Sequence, residues 1–310
     1  MDFSIFFVDL IYEFRFTDSI NFLLHDMQRF LLSVILFCFS IAAIAQYNPG
    51  ARQISLANSD VALANDVFTL FNNPAGLSQI NWREVGVYYS PAPFGLTELA
   101  NGYVAYLEPF SFGSIAAGGS TYGFDLYRES KVILGYSYNY GNLFFLGLSV
   151  NYHSVSIKNY GSSGAFYINT GILAYILDNF RWGFHVSNIN RASIGNDDDQ
   201  IPMILTTGFS YNLLNNFSLN FSLEKDIRYN PSVQFGIEYD IIEYLSLRIG
   251  ASNEPSRFTT GIGINYSIFS LDYSLFTHPD LGLTHQAGII LSFGKDGSRT
   301  EAINKYLNLK

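Results

Sequence analysis

The chain has 310 residues, of which 48% are hydrophobic and 17% aromatic, and its formal net charge is −9 at pH 7. Only 14% of the residues are charged, which is too few for an ordinary soluble domain that is also this rich in Tyr and Phe. An acidic chain without basic clusters argues against nucleic acid as a partner.

The first 45 residues have the features of a leader. Residues 27–29 form a short positive segment, residues 30–40 are apolar, and residues 43–45 read Ala-Ile-Ala, an A-x-A cleavage site. The apolar run is shorter than the ~20 residues that a membrane-spanning helix needs. We therefore expect a signal peptide over 27–45, with a buried helix as the alternative.

Residues 1–26 carry the wrong charge for the start of a signal peptide. Their acidic residues outnumber a single arginine, Arg15. We expect this segment to be a mis-assigned extension, with the true start at Met27. The only cysteine, Cys38, lies in the signal core and follows Phe37, where a lipoprotein site requires a small residue, so neither lipidation nor a disulfide is expected.

Residues 46–82 do not alternate between polar and apolar residues. Capping residues followed by small apolar ones predict short helical pieces, and the stretch FNNPAGL at 71–77 ends the helix and turns the chain. About 35 residues cannot form a core alone. We expect them to lie inside a barrel as a hatch. The motif that locks this hatch is predicted at Asn73, Pro74, Ala75 and Gly76.

From Arg83 onward the hydrophobic pattern has a period of two. The clearest case is 258–268, where Phe, Ile and Tyr alternate with Gly, Asn, Ser and Thr. Alternation alone fits a half-buried sheet, but segments of ~10 residues in a secreted chain favour an all-β, 14-stranded antiparallel transmembrane β-barrel over 83–293. The predicted strands are 83–90, 100–108, 112–121, 127–138, 143–157, 164–177, 179–188, 202–212, 217–225, 232–240, 244–252, 257–267, 269–276 and 283–293.

The connections alternate between short turns and longer segments such as 91–99, 121–127, 158–164 and 189–202. In outer-membrane barrels the short turns are periplasmic, which places both termini in the periplasm. Tyrosines at the strand ends beside the short turns predict an aromatic girdle there, although Tyr is also a good strand former. These tyrosines are Tyr138, Tyr140, Tyr175, Tyr211, Tyr239, Tyr244 and Tyr266.

The lumen face is predicted to be rich in glycine, which leaves room for the hatch. It also carries charged residues that either pair with each other or hold the hatch and line a path. The candidates are Arg181, Glu224, Glu238, Arg248 and Asp272, with Lys131 and Asp240 on the same face. The predicted lumen glycines are Gly135, Gly147, Gly183, Gly208, Gly236, Gly250, Gly261, Gly263 and Gly288.

No constellation predicts catalysis, a cofactor or a metal. His153 and His185 face inward, but neither lies in a nucleophile context, and Ser154 points away from His153. The three aspartates at 197–199 indicate a solvated loop, since they do not define a calcium shell. Residues 278–285 favour a turn over a metal site. We expect no enzymatic activity.

The last predicted strand ends at Phe293, which resembles the terminal aromatic of the outer-membrane assembly signal. Residues 294–310 follow it and are expected to be a periplasmic tail with one or two helical turns.

The segment GARQISLANSDVALANDVFTLFNNPAGL resembles the N-terminal hatch of FadL-like long-chain fatty-acid transporters, whose hatch carries an Asn-Pro-Ala motif. The opening "GAR…NPAGL" and the ending "DY…HPDLG…TH" more closely resemble the PorV/PorQ-type branch, associated with type IX secretion in Bacteroidetes. The resemblance implies a Gram-negative outer membrane, contact with its lipid or lipopolysaccharide, and surface protein partners from the secretion system. The alternative is a FadL-like channel for a small hydrophobic ligand.

Overall fold

The computed structural model describes residues 49–195, 199–278 and 281–309. The predicted signal peptide and the predicted extension lie outside the described residues, as do Asp197, Asp198, Pro279 and Asp280. Among the described residues, no helix is long and apolar enough to cross a membrane.

The chain folds into a closed antiparallel barrel in which every strand pairs with its neighbours in sequence and the first strand pairs with the last. The predicted 14-stranded barrel is confirmed, and the largest error in a strand boundary is at Gly161, where the strand begins three residues before the predicted start at 164. The barrel strands are β1 Arg83–Ser90, β2 Asn101–Phe110, β3 Gly113–Gly123, β4 Tyr127–Tyr140, β5 Phe144–Ile157, β6 Gly161–Leu177, β7 Phe180–Ser187, β10 Ile204–Leu214, β11 Phe217–Asp226, β12 Ser232–Ile242, β13 Leu245–Asn253, β14 Ser256–Tyr266, β15 Phe269–His278 and β16 Gly282–Phe293. A small hairpin of β8 Ser193–Ile194 and β9 Asp199–Gln200 lies between β7 and β10.

The alternation of side chains produces two different faces. On β5, Leu146, Leu148 and Val150 are 43–48% exposed on the outer surface, whereas Phe145 and Ser149 on the inner face are buried. An outer surface of this kind is stable only against hydrocarbon, and a closed barrel leaves no unpaired strand edge there. The fold therefore accounts for the unusual composition.

The two ends of the barrel differ less than the sequence predicts. One end, which we call the turn end, carries the tight turns after β2, β4, β6, β10, β12 and β14 together with the start of β1 and the end of β16. The opposite loop end carries two long connections, 91–100 and 188–203. The predicted longer loops at 121–127 and 158–164 are wrong, because cross-strand pairing continues through polar residues and reduces these connections to 124–126 and 158–160.

The predicted tyrosine girdle is wrong at Tyr175. Tyr138, Tyr140, Tyr244 and Tyr266 are exposed on the outside at the turn end. Tyr175 is instead buried, and its hydroxyl donates a hydrogen bond of 2.5 Å to Gln79 Oε1 in the hatch. It lies on the inner face of β6 with Gly171 and Leu173. The alternation of the strand, and not the residue type, therefore decides that the Tyr175 side chain points into the lumen.

Residues 49–80 form the hatch and are buried almost throughout. They contain helix α1 Ala51–Ser55, helix α2 Thr69–Asn72 and a 3₁₀ helix at Pro74–Gln79. The tail contains helix α3 Arg299–Leu307, which is longer than the one or two turns expected from the sequence.

Candidate functional site: the hatch and its seat in the barrel

Asn73 joins two parts of the hatch to the barrel wall. Its amide nitrogen donates to the carbonyl oxygens of Val61 (2.7 Å) and Ile172 (3.2 Å). Its amide oxygen accepts from the backbone N–H of Ala75 at 3.2 Å and so caps the 3₁₀ helix, with Pro74 at the first helical position. The predicted motif is therefore a helix cap whose side chain also reaches the wall at β6.

Two wall glycines form the seat of this motif. Gly147 and Gly171 face each other across the β5–β6 ladder. A Cβ on Gly147 would overlap the backbone of Pro74 and Ala75, and a Cβ on Gly171 would overlap the side-chain oxygen of Asn73. Backbone groups of the hatch cannot rotate away from Gly147, and the Asn73 side chain beside Gly171 is held by three hydrogen bonds, so only glycine fits either position without disturbing the hatch.

Similar contacts continue around the lumen as a belt of glycines. A Cβ on Gly236 would lie 2.5 Å from Ser59 Oγ, and one on Gly261 would lie 2.5 Å from Ser55 Cβ. At Gly288 the nearest hatch atom is 3.6 Å away, which is an ordinary contact. The glycine-rich lumen face predicted from the sequence thus lies against the hatch over most of its circumference.

The first half of the hatch is held by ion pairs. Arg52 of α1 donates two hydrogen bonds to Glu238, from Nε (2.8 Å) and Nη2 (2.7 Å), and its Nη1 lies 3.1 Å from Asp66. Arg248 bridges Glu238 (2.5 Å) and Asp272 (2.6 Å). The side chains of this cluster are at most 12% exposed. A buried charge requires such partners, so the cluster depends on every member.

The structure brings together three of the five predicted lumen residues, Glu238, Arg248 and Asp272, and keeps the other two apart from them. Arg181 lies between Ser210 Oγ (3.1 Å) and the carbonyl oxygen of Leu63 (3.4 Å). Glu224, which pairs with Ser232 across the β11–β12 ladder, lies toward the loop end. Cross-strand register, which the sequence does not fix by itself, decides which lumen residues meet.

Glu84 is a buried anchor that the sequence analysis missed. Its carboxylate accepts from the backbone N–H of Val67 (3.0 Å), the indole of Trp82 (2.7 Å) and the hydroxyl of Ser292 (2.8 Å), and Arg299 lies 2.7 Å away. The available signal was a glutamate at the second position of a strand whose alternation places it on the lumen face.

A polar cavity of about 270 Å³ lies at the turn end beside the ionic cluster. Its lining includes Arg52, Glu238 and Asp272 from the cluster, Asp240 from the wall and Lys295 from the tail. Burial and the nearby Arg299 lower the pKa of Lys295 to about 8. The hatch therefore borders a polar cavity lined by charged side chains on this side.

The loop side of the hatch is more aromatic. Phe71 of α2 packs edge-on against Tyr103 with ring centroids 5.3 Å apart, and Tyr103 contacts Tyr88 at 5.7 Å. Phe94, in the 91–100 connection, packs against Phe276 at 5.6 Å. We call these five residues the aromatic vestibule.

The wall shows no opening along the described strands. Each of the fourteen neighbouring pairs forms a ladder, and the register shifts only beside three turns, at 175–177, 212–214 and 240–242. A route between the two ends of this barrel therefore passes through the space that the hatch occupies.

The described residues contain no group of three or more His, Cys, Asp and Glu side chains arranged to hold a metal ion. The Nε2 atom of His153 lies 2.8 Å from Glu129, and Ser154 lies on the opposite face of β5. The aspartates at 197 and 198 lie outside the described residues.

No protein-family model matches the sequence, and no curated protein is significantly similar to it. Solved barrels are similar in structure. The toluene transporter TodX of Pseudomonas putida superimposes with a TM-score of 0.57 at 12% identity, over 74% of this chain and 94% of that one. A Pseudomonas aeruginosa FadL homologue gives 0.54 at 13% identity, over 79% and 97%. A TodX variant described as a monoaromatic hydrocarbon channel gives 0.55 at 12% identity, over 73% and 93%.

At these identities the likeness establishes the fold alone, a closed barrel similar to those of TodX and the FadL homologue. The proposed kinship with the PorV/PorQ branch and the link to type IX secretion stay predictions.

Proposed function

We propose that the protein is a FadL-like outer-membrane channel that admits small hydrophobic molecules when its hatch moves. The observation that carries this proposal is the fit of the hatch inside an unbroken wall. The hatch occupies the route through the lumen, and the barrel does not need it for closure, because the strands satisfy each other's hydrogen bonds. A separate element in that position acts as a gate.

The contacts that hold the hatch are suited to reversible release. Hydrogen bonds and ion pairs such as Asn73–Ile172 and Arg52–Glu238 can be exchanged for water once the hatch begins to move. The polar cavity at the turn end lies beside the ionic cluster and is large enough to hold water.

The class of ligand is inferred from the aromatic vestibule. Its rings lie on the loop side of the hatch, and a molecule that reaches the hatch from that end passes them. Aromatic side chains favour apolar and aromatic ligands by contact area and ring packing. The two TodX structures, described as a toluene transporter and a monoaromatic hydrocarbon channel, have the same fold and support this choice.

A wall substitution tests the gate without altering the hatch sequence. In Gly171→Ala the new methyl group would overlap the side-chain oxygen of Asn73, so this side chain must give up its hydrogen bonds with Val61, Ile172 and Ala75, which loosens the hatch while the strand remains well paired. We expect a stable rise in conductance in planar bilayers and faster toluene uptake into liposomes. Gly288→Ala is the matched control, because its Cβ would lie 3.5 Å or more from every neighbour.

Heat-modifiable gel mobility reports on barrel folding for both variants. A folded Gly171→Ala protein with wild-type conductance and uptake would refute the channel proposal. If conductance rises in Gly171→Ala but toluene uptake does not, the hatch is a gate and the proposed hydrophobic ligand is refuted.

We further propose that the loop end faces the outside of the cell and both termini face the periplasm. Single cysteines at Tyr160 and at Asn215 test this orientation, since the first lies at the loop end and the second in a tight turn. An impermeant thiol reagent should label Tyr160→Cys on intact cells and leave Asn215→Cys unlabelled. The reverse labelling would invert the orientation.

A further inference from the structure

The tail lies inside the mouth of the barrel at the turn end. On one side, Thr300, Ile303 and Asn304 border a small crevice together with Leu63 of the hatch and residues of β10–β12. On the other side, Lys295 and residues 297–300 border the polar cavity. The tail thus separates the hatch from the solution at this end.

Arg299 connects the tail to both the hatch and the wall. Its Nη1 donates to the backbone oxygen of Asn65 in the hatch at 2.8 Å, and its Nη2 lies 2.7 Å from Glu84 at the start of β1. Its guanidinium also stacks over the Trp82 ring at 5.8 Å. The side chain is only 14% exposed, and that of Glu84 is fully buried.

The same joint reaches the ionic cluster. The side-chain oxygen of Asn65 accepts from Arg52 Nη1 at 2.6 Å, while its backbone oxygen accepts from Arg299. Glu84, the wall partner of Arg299, also accepts from the backbone N–H of Val67. Residues 65–67 are therefore fixed between the wall and the tail, and the hatch cannot move toward the turn end while Arg299 remains in place.

The attachment of the tail is weak compared with the barrel. Helix α3 has nine residues and buries three apolar side chains, Ala302, Ile303 and Leu307. A helix this short is not stable in water by itself, so it folds only where it is docked. It follows β16 through Gly294 and Gly297, both at positive φ (86° and 78°), where the chain turns into the lumen mouth.

We propose that the C-terminal tail is a latch, which keeps the hatch closed from the turn end and must undock before the hatch can move. Arg299 is the residue that joins the latch to the hatch and to the wall. This inference rests on the proposed channel function and adds to it an order of events in which α3 leaves first and residues 65–67 follow.

The experiment compares four full-barrel proteins in planar bilayers: wild type, Arg299→Ala, a chain that ends after Gly297, and Lys305→Ala. Lys305 pairs with Asp296 at 2.9 Å in an exposed pair whose side chains are 75% and 83% exposed, so it controls for loss of a tail cation. Losing a charged, largely buried contact should raise the fraction of time spent open on the order of tenfold. The truncated chain should open at least as much, and Lys305→Ala should match wild type.

A second measurement follows the hatch itself. Hydrogen exchange at the Val67 amide, which is bonded to Glu84, should accelerate in Arg299→Ala and in the truncated chain and stay unchanged in Lys305→Ala. The latch is refuted if both tail variants keep wild-type conductance and exchange while Gly171→Ala opens the channel. If Gly171→Ala also keeps wild-type conductance, the channel proposal fails and the latch proposal fails with it.

Discussion

The two halves of the hatch are held in the same barrel by different means. Residues 51–66 carry Arg52, Asp60 and Asp66, and Arg52 forms an ion pair with Glu238 on β12, which Arg248 on β13 links to Asp272 on β15. Residues 69–79 contain no charged side chain and are fixed by a close fit of Asn73, Pro74 and Ala75 against wall glycines. Both halves lie against wall glycines, but only the first half adds charged partners, whereas the second half relies on shape and neutral hydrogen bonds.

This difference has a consequence for gating. A close fit is lost within a fraction of an ångström, because dispersion contacts and backbone clashes are short-ranged. Ion pairs act over longer distances and tolerate water, so they can guide a displaced segment back into place. The shape-fitted half therefore defines the closed position, and the charged half restores it.

The largest effect is expected from removing the acid that joins both arginines of the charged half. In Glu238→Ala, Arg52 and Arg248 lose their common partner in a buried site, which costs ~3–5 kcal/mol in systems of this type. The free energy of hatch opening, measured by hydrogen exchange at the Ile54 amide, should fall accordingly. That amide donates to Gly50 at 3.0 Å inside α1.

Asp240→Asn is the matched control for this prediction. Asp240 lies on the same face of the same strand, and its carboxylate accepts a hydrogen bond of 2.5 Å from Ser246. An amide oxygen can accept that bond as well. Equal losses in the two variants would show that the charged half is not held through Glu238.

The effect expected from the shape-fitted half is smaller. Asn73→Ala together with Pro74→Ala removes the two hydrogen bonds from Asn73 to Val61 and Ile172 and leaves both carbonyl oxygens without this donor. A neutral hydrogen bond of this kind contributes ~0.5–1.5 kcal/mol, so the loss of both falls below that expected for Glu238→Ala. Exchange should accelerate mainly at residues 69–79, with normal heat-modifiability and a larger conductance. Wild-type conductance with a folded barrel would mean that the motif is only a connecting turn.

The two halves also differ in how much of them could be predicted from the sequence. Periodicity predicted the fourteen strands and the glycine-rich face, and the helix-breaking residues at 73–76 marked the motif, because these signals are local. Arg52 and Glu238 are 186 positions apart, and their pairing depends on register and on the path of the hatch. Local pattern cannot supply that information, and the same reason explains why Glu84 and Arg299 were missed.

The smallest effect concerns Asp60, a buried acid in the charged half. Burial raises the pKa of Asp60 to about 6, and the negative charge of Asp66 acts in the same direction. A hydrogen bond of 3.0 Å from Asn72 and the positive charge of Arg52 act in the opposite direction. A docked hatch therefore binds a proton at Asp60 more tightly than a released hatch does, so docking strengthens as the pH falls through about 6 and the gain is complete below about 4. Between pH 7 and pH 5 the contribution is about 1 kcal/mol in favour of docking.

Asp60→Asn keeps an acceptor for Asn72 and cannot titrate. We expect the hatch of this variant to be docked more tightly than wild type at pH 7, and the difference between the two proteins in hydrogen exchange and open fraction to shrink as the pH approaches 5. A difference that stays constant over this range would show that Asp60 does not change its protonation when the hatch docks.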